Sequence, residues 1–200
     1  MNMKSVSTIR QRILPFILLI PVFTALLFVP VKAKESSPKL VDTKWLKDNL
    51  SMENLRIVDL RDNVKDYWQE HIPGAVYLSP DAMRWPDRGV PVKLIQPEAL
   101  TLLLGEMGVD ENTMVVAYSE KGDYKAPYLI WALDYIGHKQ SAVLDGGFSK
   151  WKSEGNLVTQ DYPKMVPKQY HLPSKLNEEV RATLNEVKET IGKKNVVLID

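Results

Sequence analysis

"VVAYSEKGDYKAPYL", residues 115–129, decides how the chain is read. Val115–Tyr118 has the character of a buried strand, a polar stretch containing Gly122 interrupts it, and Lys125 opens an apolar helix. A strand that turns directly into a helix is where α/β proteins set a nucleophile or a bound anion. Ser119 is the first residue of that turn, and the chain contains no cysteine.

Outward from this stretch the same alternation continues. On the amino-terminal side, "VDTKWLKDNL" (41–50) predicts a helix with Asp42 or Thr43 as its cap. "LRIVDL" (55–60) predicts a strand, "VKDYWQEH" (64–71) a brief helix and "GAVYLS" (74–79) a second strand. "PDAMRWPDRGVPVKLI" (80–95) is rich in proline, glycine and aspartate and is expected to be a long irregular connection. "QPEALTLLLGEMG" (96–108) predicts a helix with Pro97 in its first turn and Gly108 just past its end. On the carboxyl-terminal side, Gly137 stops the helix begun at Lys125, "SAVLDGG" (141–147) is a fourth strand and "FSKWKSEG" (148–155) a short helix. Strands apolar on both faces, alternating with helices, predict an α/β fold with a mostly parallel central sheet covered on both sides.

Length and charge bound what such a fold can do. Two hundred residues, 44% of them hydrophobic, suffice for one domain plus a fragment. The net charge of +1 conceals an asymmetry: Lys4, Arg10, Arg12 and Lys32 face no acid in residues 1–33. The remaining 22 bases (26 minus 4) meet 25 acids, a net of −3, which argues against a nucleic-acid partner.

The basic n-region, the apolar run "ILPFILLIPVFTALLFV" (13–29) and "VKA" (31–33) predict a signal peptide over 1–33, cleaved after Ala33. An uncleaved membrane anchor is the alternative, and membrane contact is expected only through that segment. The protein is therefore expected outside the cytoplasm, in a periplasmic or similar compartment. A chain without cysteine has no disulfides there and depends on its core. "KESSP" (34–38) begins a linker over 34–39.

The tail "VRATLNEVKETIGKKNVVLID" (180–200) repeats the plan of "VDTKWLKDNLSMENLRIVD" (41–59): a valine lead-in, a short helix, a polar turn and an apolar strand ending in aspartate. A repeat at the period of a domain implies a tandem copy that begins at 180 after a linker over 173–179, its strand "VVLI" having no sheet of its own to enter.

"IVDLRD" (57–62), "HIPGA" (71–75), "VVAYS" (115–119) and "DGGFSKW" (145–151) together resemble the rhodanese superfamily of sulfurtransferases, in the family's order and spacing, over about residues 40–170. The resemblance implies a three-layer rhodanese-like domain over 40–172, catalytically silent and followed by the start of a second copy. It implies transfer of sulfane sulfur through a cysteine persulfide, as in a tandem-domain thiosulfate sulfurtransferase. Active members place a cysteine directly after this strand, in a loop of the form Cys-x-x-Gly-x-Arg. Here Ser119-Glu120-Lys121-Gly122-Asp123-Tyr124 keeps the glycine and holds Ser119 and Tyr124 at the cysteine and arginine positions. A serine hydroxyl carries no persulfide and does not ionise without a base.

Asp59, Arg61 and His71 are expected to form a structural cluster at a strand end, with Gly74 in the turn that follows. Gly146 and Gly147 permit a sharp turn, and Phe148 and Trp151 are expected in the core. Candidate binding residues are Ser119, Lys121, Gly122 and Lys125 in the loop and Arg84 and Arg88 in "RWPDRG" (84–89), with Trp85 beside them. Their expected ligand is a small sulfur-containing anion, or a second rhodanese domain. A serine-hydrolase reading finds neither Gly-x-Ser-x-Gly nor a placed histidine, since His71, His138 and His171 are scattered and His138 is expected on the surface. The same scatter gives no metal-ligand spacing, and no cofactor is expected. An inactive module that binds an anion or a partner protein remains the alternative to a sulfurtransferase part.

Overall fold

A computed structural model describes residues 39–199; the signal segment expected at 1–33 lies outside them. The elements run β1 (Leu40–Val41), α1 (Thr43–Asn49), β2 (Leu55–Asp59), α2 (Val64–Gln69) and β3 (Ala75–Tyr77). A 3₁₀ turn at Pro80–Met83 leads to β4 (Arg84–Asp87), β5 (Val90–Leu94), α3 (Pro97–Glu106), β6 (Met114–Tyr118), α4 (Lys125–Tyr135), β7 (Ser141–Leu144) and α5 (Gly147–Ser153). After a second 3₁₀ turn at Glu178–Val180 comes α6 (Leu184–Thr190).

Five parallel strands form one sheet in the order β1-β7-β6-β2-β3. Their alternate side chains feed two cores. Val58, Val115 and Ala117 point to the side covered by Leu100 and Leu104 of α3 and Leu129 and Leu133 of α4. Ile57, Val116 and Ala142 point to the side covered by Leu46 of α1 and Phe148 and Trp151 of α5. This three-layer α/β arrangement is the architecture that strands apolar on both faces require. β1, too short to carry a pattern, adds itself beside β7, with Leu40 opposite Val143. Asp42 caps α1 by accepting from the Trp45 amide at 2.6 Å.

The connection expected to be irregular over 80–95 is instead ordered as an antiparallel hairpin, β4 against β5. Its two-residue turn is Arg88-Gly89, both at positive φ (44° and 84°), the mirror-image turn that matches strand twist. Pro86 and Pro91 hid it, because each removes a ladder donor; a two-stranded hairpin, all edge, tolerates that loss.

Residues 159–181 run across the domain as a strap. The Lys168 amide donates to the Gly105 carbonyl, Asn177 N–H to Tyr135 and the Trp131 indole to Val180. His138, expected on the surface, is buried beneath this strap. Its Nε2 lies 2.9 Å from the Thr113 carbonyl oxygen and its Nδ1 3.0 Å from the Tyr170 hydroxyl. A partner thirty-two residues away closes the site, so local sequence could not reveal it. Beyond the strap, Thr183 and Glu186 form a capping box for α6, which repeats the length of α1. Residues 195–199 form no strand, and Ile199 is 92% exposed.

Burial lowers the His138 pKa below its ordinary value, while its carbonyl partners oppose the shift. The neutral ring is thus favoured in the folded state, and the unfolded chain binds the proton more readily. The histidine's contribution is complete above about pH 6.5 and is lost as pH falls toward the lower folded-state value. In urea unfolding at about pH 7 and about pH 5, His138→Gln is expected to lose less stability between the two than the parent chain. Equal losses would show that His138 does not carry this dependence.

Candidate functional site

The sheet's carboxyl end is organised by a carboxylate closed to water. Asp59 ends β2 fully buried, opposite Tyr118 at the end of β6. The chain turns so that Arg61 folds back on it: Nε lies 3.1 and 3.0 Å from the two carboxylate oxygens and Nη2 2.7 Å from Oδ2. The Arg61 amide also donates to Oδ1 at 2.9 Å, and the Tyr118 hydroxyl donates to Oδ2 at 2.7 Å. Arg61 spans onward to the Glu70 carbonyl (2.7 Å) and lies 3.9 Å over the Phe148 ring. Burial alone would lower the Arg61 pKa, but Asp59 more than offsets it and the net shift is upward. The Tyr118 hydroxyl is pushed well above its ordinary value by burial and then by Asp59.

The expected three-residue cluster resolves into this pair and a separate histidine. His71 stacks on Tyr67 at 4.0 Å, and its ring nitrogens lie 2.7 Å from the Tyr67 carbonyl and 3.1 Å from that of Asp161. With the paired backbone of His71 and Thr159, it fastens the start of the strap. Gly74 occupies the turn into β3 at φ 78°.

Ser119 follows β6 and is only 3% exposed. Its carbonyl accepts from the Phe148 amide at 3.0 Å, where α5 begins. Gly147 makes that approach possible: at φ 59°, any Cβ there would collide with the Ser119 carbonyl oxygen. Beyond Ser119 the loop turns tightly, the Asp123 amide donating to the Glu120 carbonyl at 3.1 Å with Gly122 at φ 78°. The Glu120 carboxylate accepts from Ser149. Trp151 is fully buried and donates from its indole to the Leu157 carbonyl at 2.8 Å.

A cavity of about 330 Å³ lies against this loop, lined by Ser119, Lys121 and Gly122 on one side and by Leu144, Asp145 and Gly146 on the other. The other candidate residues do not converge on it. Lys125 is held by Asp123 at 2.8 Å and Asp62 at 3.0 Å; burial opposes its charge, and the two acids raise its pKa nonetheless. Arg84 reaches the outer side of the loop, donating to the Tyr124 hydroxyl at 2.8 Å and facing the Tyr128 ring. Arg88 projects from the hairpin turn with its side chain 90% exposed, beside Asp87. Trp85, 67% exposed, borders a separate depression with Leu94, Ile95 and Ala99.

Chemically, this loop offers a hydroxyl with no histidine in the lining of its cavity, and none of the lining carboxylates accepts a hydrogen bond from it among the described residues. Lys121 is the cation left facing the cavity, against Glu120, Asp123 and Asp145 in its lining. Sequence reasoning did not find Tyr118 as a partner of Asp59 or Tyr124 as a partner of Arg84. The first could have been sought as two polar residues ending two apolar strands of one sheet; the second has no sequence signal.

A family model described as "Rhodanese-like domain" matches residues 42–154. The chain is 32% identical over 166 residues to a provisionally named thiosulfate sulfurtransferase of Synechococcus elongatus, covering 82% of this chain and 51% of that protein. It is 29% identical over 176 residues to the thiosulfate sulfurtransferase of Bos taurus, covering 80% of this chain and 58% of that one. It therefore spans between half and three-fifths of these relatives' length. Among solved structures, SseA from Escherichia coli, of the 3-mercaptopyruvate sulfotransferases, superposes with a TM-score of 0.66 at 24% identity. That likeness covers 77% of this chain and 62% of SseA and concerns the fold.

Asp59→Asn leaves the Arg61 charge, whose side chain is 4% exposed, without its counter-ion. The expected loss is about 3–5 kcal/mol in denaturant unfolding. Replacing both residues by leucine is expected to cost less than the sum of the single changes, a coupling that a double-mutant cycle measures.

Proposed function

The chain belongs to the rhodanese family, and from that premise we propose that it is the non-catalytic part of an exported thiosulfate sulfurtransferase. The observation that carries this reading is the loop after β6, which has Gly122 at positive φ where the resemblance expects the loop glycine, and Ser119 where it expects the thiol. In the proposed reaction a cysteine thiolate of another rhodanese domain attacks the outer sulfur of thiosulfate. A sulfur–sulfur bond forms to the cysteine, and the bond to the sulfonate breaks with its electron pair leaving on sulfite. The persulfide then passes its outer sulfur to a thiophilic acceptor. The names and greater length of the relatives support this assignment. So does the sequence repeat at 180–200, whose helix α6 is capped and as long as α1.

In this reading the residues of the present chain hold shape and do no chemistry. Asp59, Arg61 and Tyr118 fix the strand ends, and Gly147 holds the Ser119 loop closed. Arg84, Arg88 and Trp85 lie on the hairpin side, where a second domain could draw on their charge and apolar surface. The cavity against the loop favours a second reading, a binding module for a small anion, because Lys121 faces it without an ion pair among the described residues.

Thiosulfate:cyanide transfer, read as thiocyanate formed, tests the proposal. Residues 34–200 alone are expected to form none, and Ser119→Cys is expected to remain inactive. Its new thiol would sit among Glu120, Asp123 and Asp145 without the loop arginine, a setting that disfavours the thiolate. The product of the whole reading frame is expected to turn over thiosulfate. Thiocyanate from the cysteine-free chain would refute the non-catalytic role, and an inert whole product would leave the binding module.

A further inference from the structure

Interior strands of a parallel sheet are apolar on both faces, and Arg56 breaks that rule as the second residue of β2. It pairs in register with Val115 at the amino ends of β2 and β6, opposite the Ser119 loop. Its guanidinium is half-buried and lies over Gly108, where a Cβ would stand 2.7 Å from Nη2. Nε is closed to solvent and has no hydrogen-bond partner, and the guanidinium takes part in no ion pair among the described residues. Burial lowers its pKa, with no acid near enough to oppose the shift.

Around it opens a cavity of about 640 Å³, roofed by the strap. Two further cations line it. Lys168 is anchored by Asp110 at 3.1 Å and by the Thr113 hydroxyl at 3.2 Å, while Lys164 has no ion pair among the described residues. Glu53 is the lining carboxylate. Thus three cations surround a roomy hollow, and the most buried of them lacks a counter-ion. A planar guanidinium presents paired donors that match two oxygens of one anion, and such bonds strengthen where water is excluded.

We infer that this cavity binds a small oxyanion of the phosphate or sulfate class, with Arg56 as its principal donor and Lys164 and Lys168 as flanking cations. The volume exceeds the needs of a bare tetrahedral anion, so the anion can be free or the end group of a small metabolite. This site is independent of sulfur transfer: it lies at the other end of the sheet and uses none of the loop residues.

The test is calorimetric titration of the intact protein at low ionic strength, where surface charges are least screened. Inorganic phosphate and glycerol phosphate are titrated separately, with the melting temperature as a second readout. Both anions are expected to bind saturably and to raise the melting temperature. Arg56→Gln is expected to weaken binding about tenfold or more and Lys164→Gln a few-fold, with Lys47→Gln on α1 unchanged. Lys164 is exposed on the strap, so its variant decides the matter should Arg56→Gln fold poorly. Tighter binding of glycerol phosphate marks a metabolite end group, and equal binding marks the free anion. Absence of saturable binding, or equal affinity in Lys164→Gln and the parent chain, overturns the site.

Discussion

A carboxylate that water cannot reach must be satisfied by the protein, and at Asp59 the protein does so with one guanidinium, one hydroxyl and one amide. Those partners come from the loop after β2 and from the end of β6. Through the Glu70 carbonyl and the Phe148 ring, the same guanidinium also engages the segment after α2 and the start of α5. The exposed pair Lys44–Asp48 on α1 is screened by solvent and adds little, whereas removing one member of the buried network strands the other charge. This one buried group thus ties together four of the segments around the Ser119 loop.

The two ends of the sheet treat charge in opposite ways. At the carboxyl end three of the cations have acidic partners, Arg61 in Asp59, Lys125 in Asp62 and Asp123, and Arg84 in Asp81 at 3.7 Å, although Arg84 Nε is closed to solvent without a hydrogen bond and Lys121 has no ion pair among the described residues. At the amino end Arg56 is left over. A family loop that stabilises a thiolate or persulfide needs an excess of positive potential. In this domain the lining of the loop cavity is acidic on balance, and the excess is found beneath the strap.

Much of this was legible because it is periodic or local. Apolar runs at 55–60 and 115–118, the Asp42 cap and the helix stops at Gly108 and Gly137 each report on the few residues around them. The parts that were not legible depend on distant partners or on weakened signals. The hairpin at 84–94 carries prolines that erase strand character, although Arg88-Gly89 is a turn signal of the expected length. β1 is two residues long. His138 is buried with Tyr170 against it, and His71 meets the Asp161 carbonyl rather than the Asp59 carboxylate, both contacts made through a strap whose sequence has no regular pattern. At the site, the serine at position 119 could be read directly, while the neutralisation of Lys125 required the fold to bring Asp62 beside it.

The Ser119 loop is pinned by its carbonyl oxygen to the Phe148 amide, over a glycine that leaves room for nothing else. Main-chain atoms hold the loop in place, so any side chain small enough for position 119 inherits the same geometry. Form and reactivity are therefore inherited separately on this scaffold. A nucleophile can vanish through one codon change without disturbing the architecture. To gain one, the surrounding charges must change as well, so the two directions of change at this position are unequal.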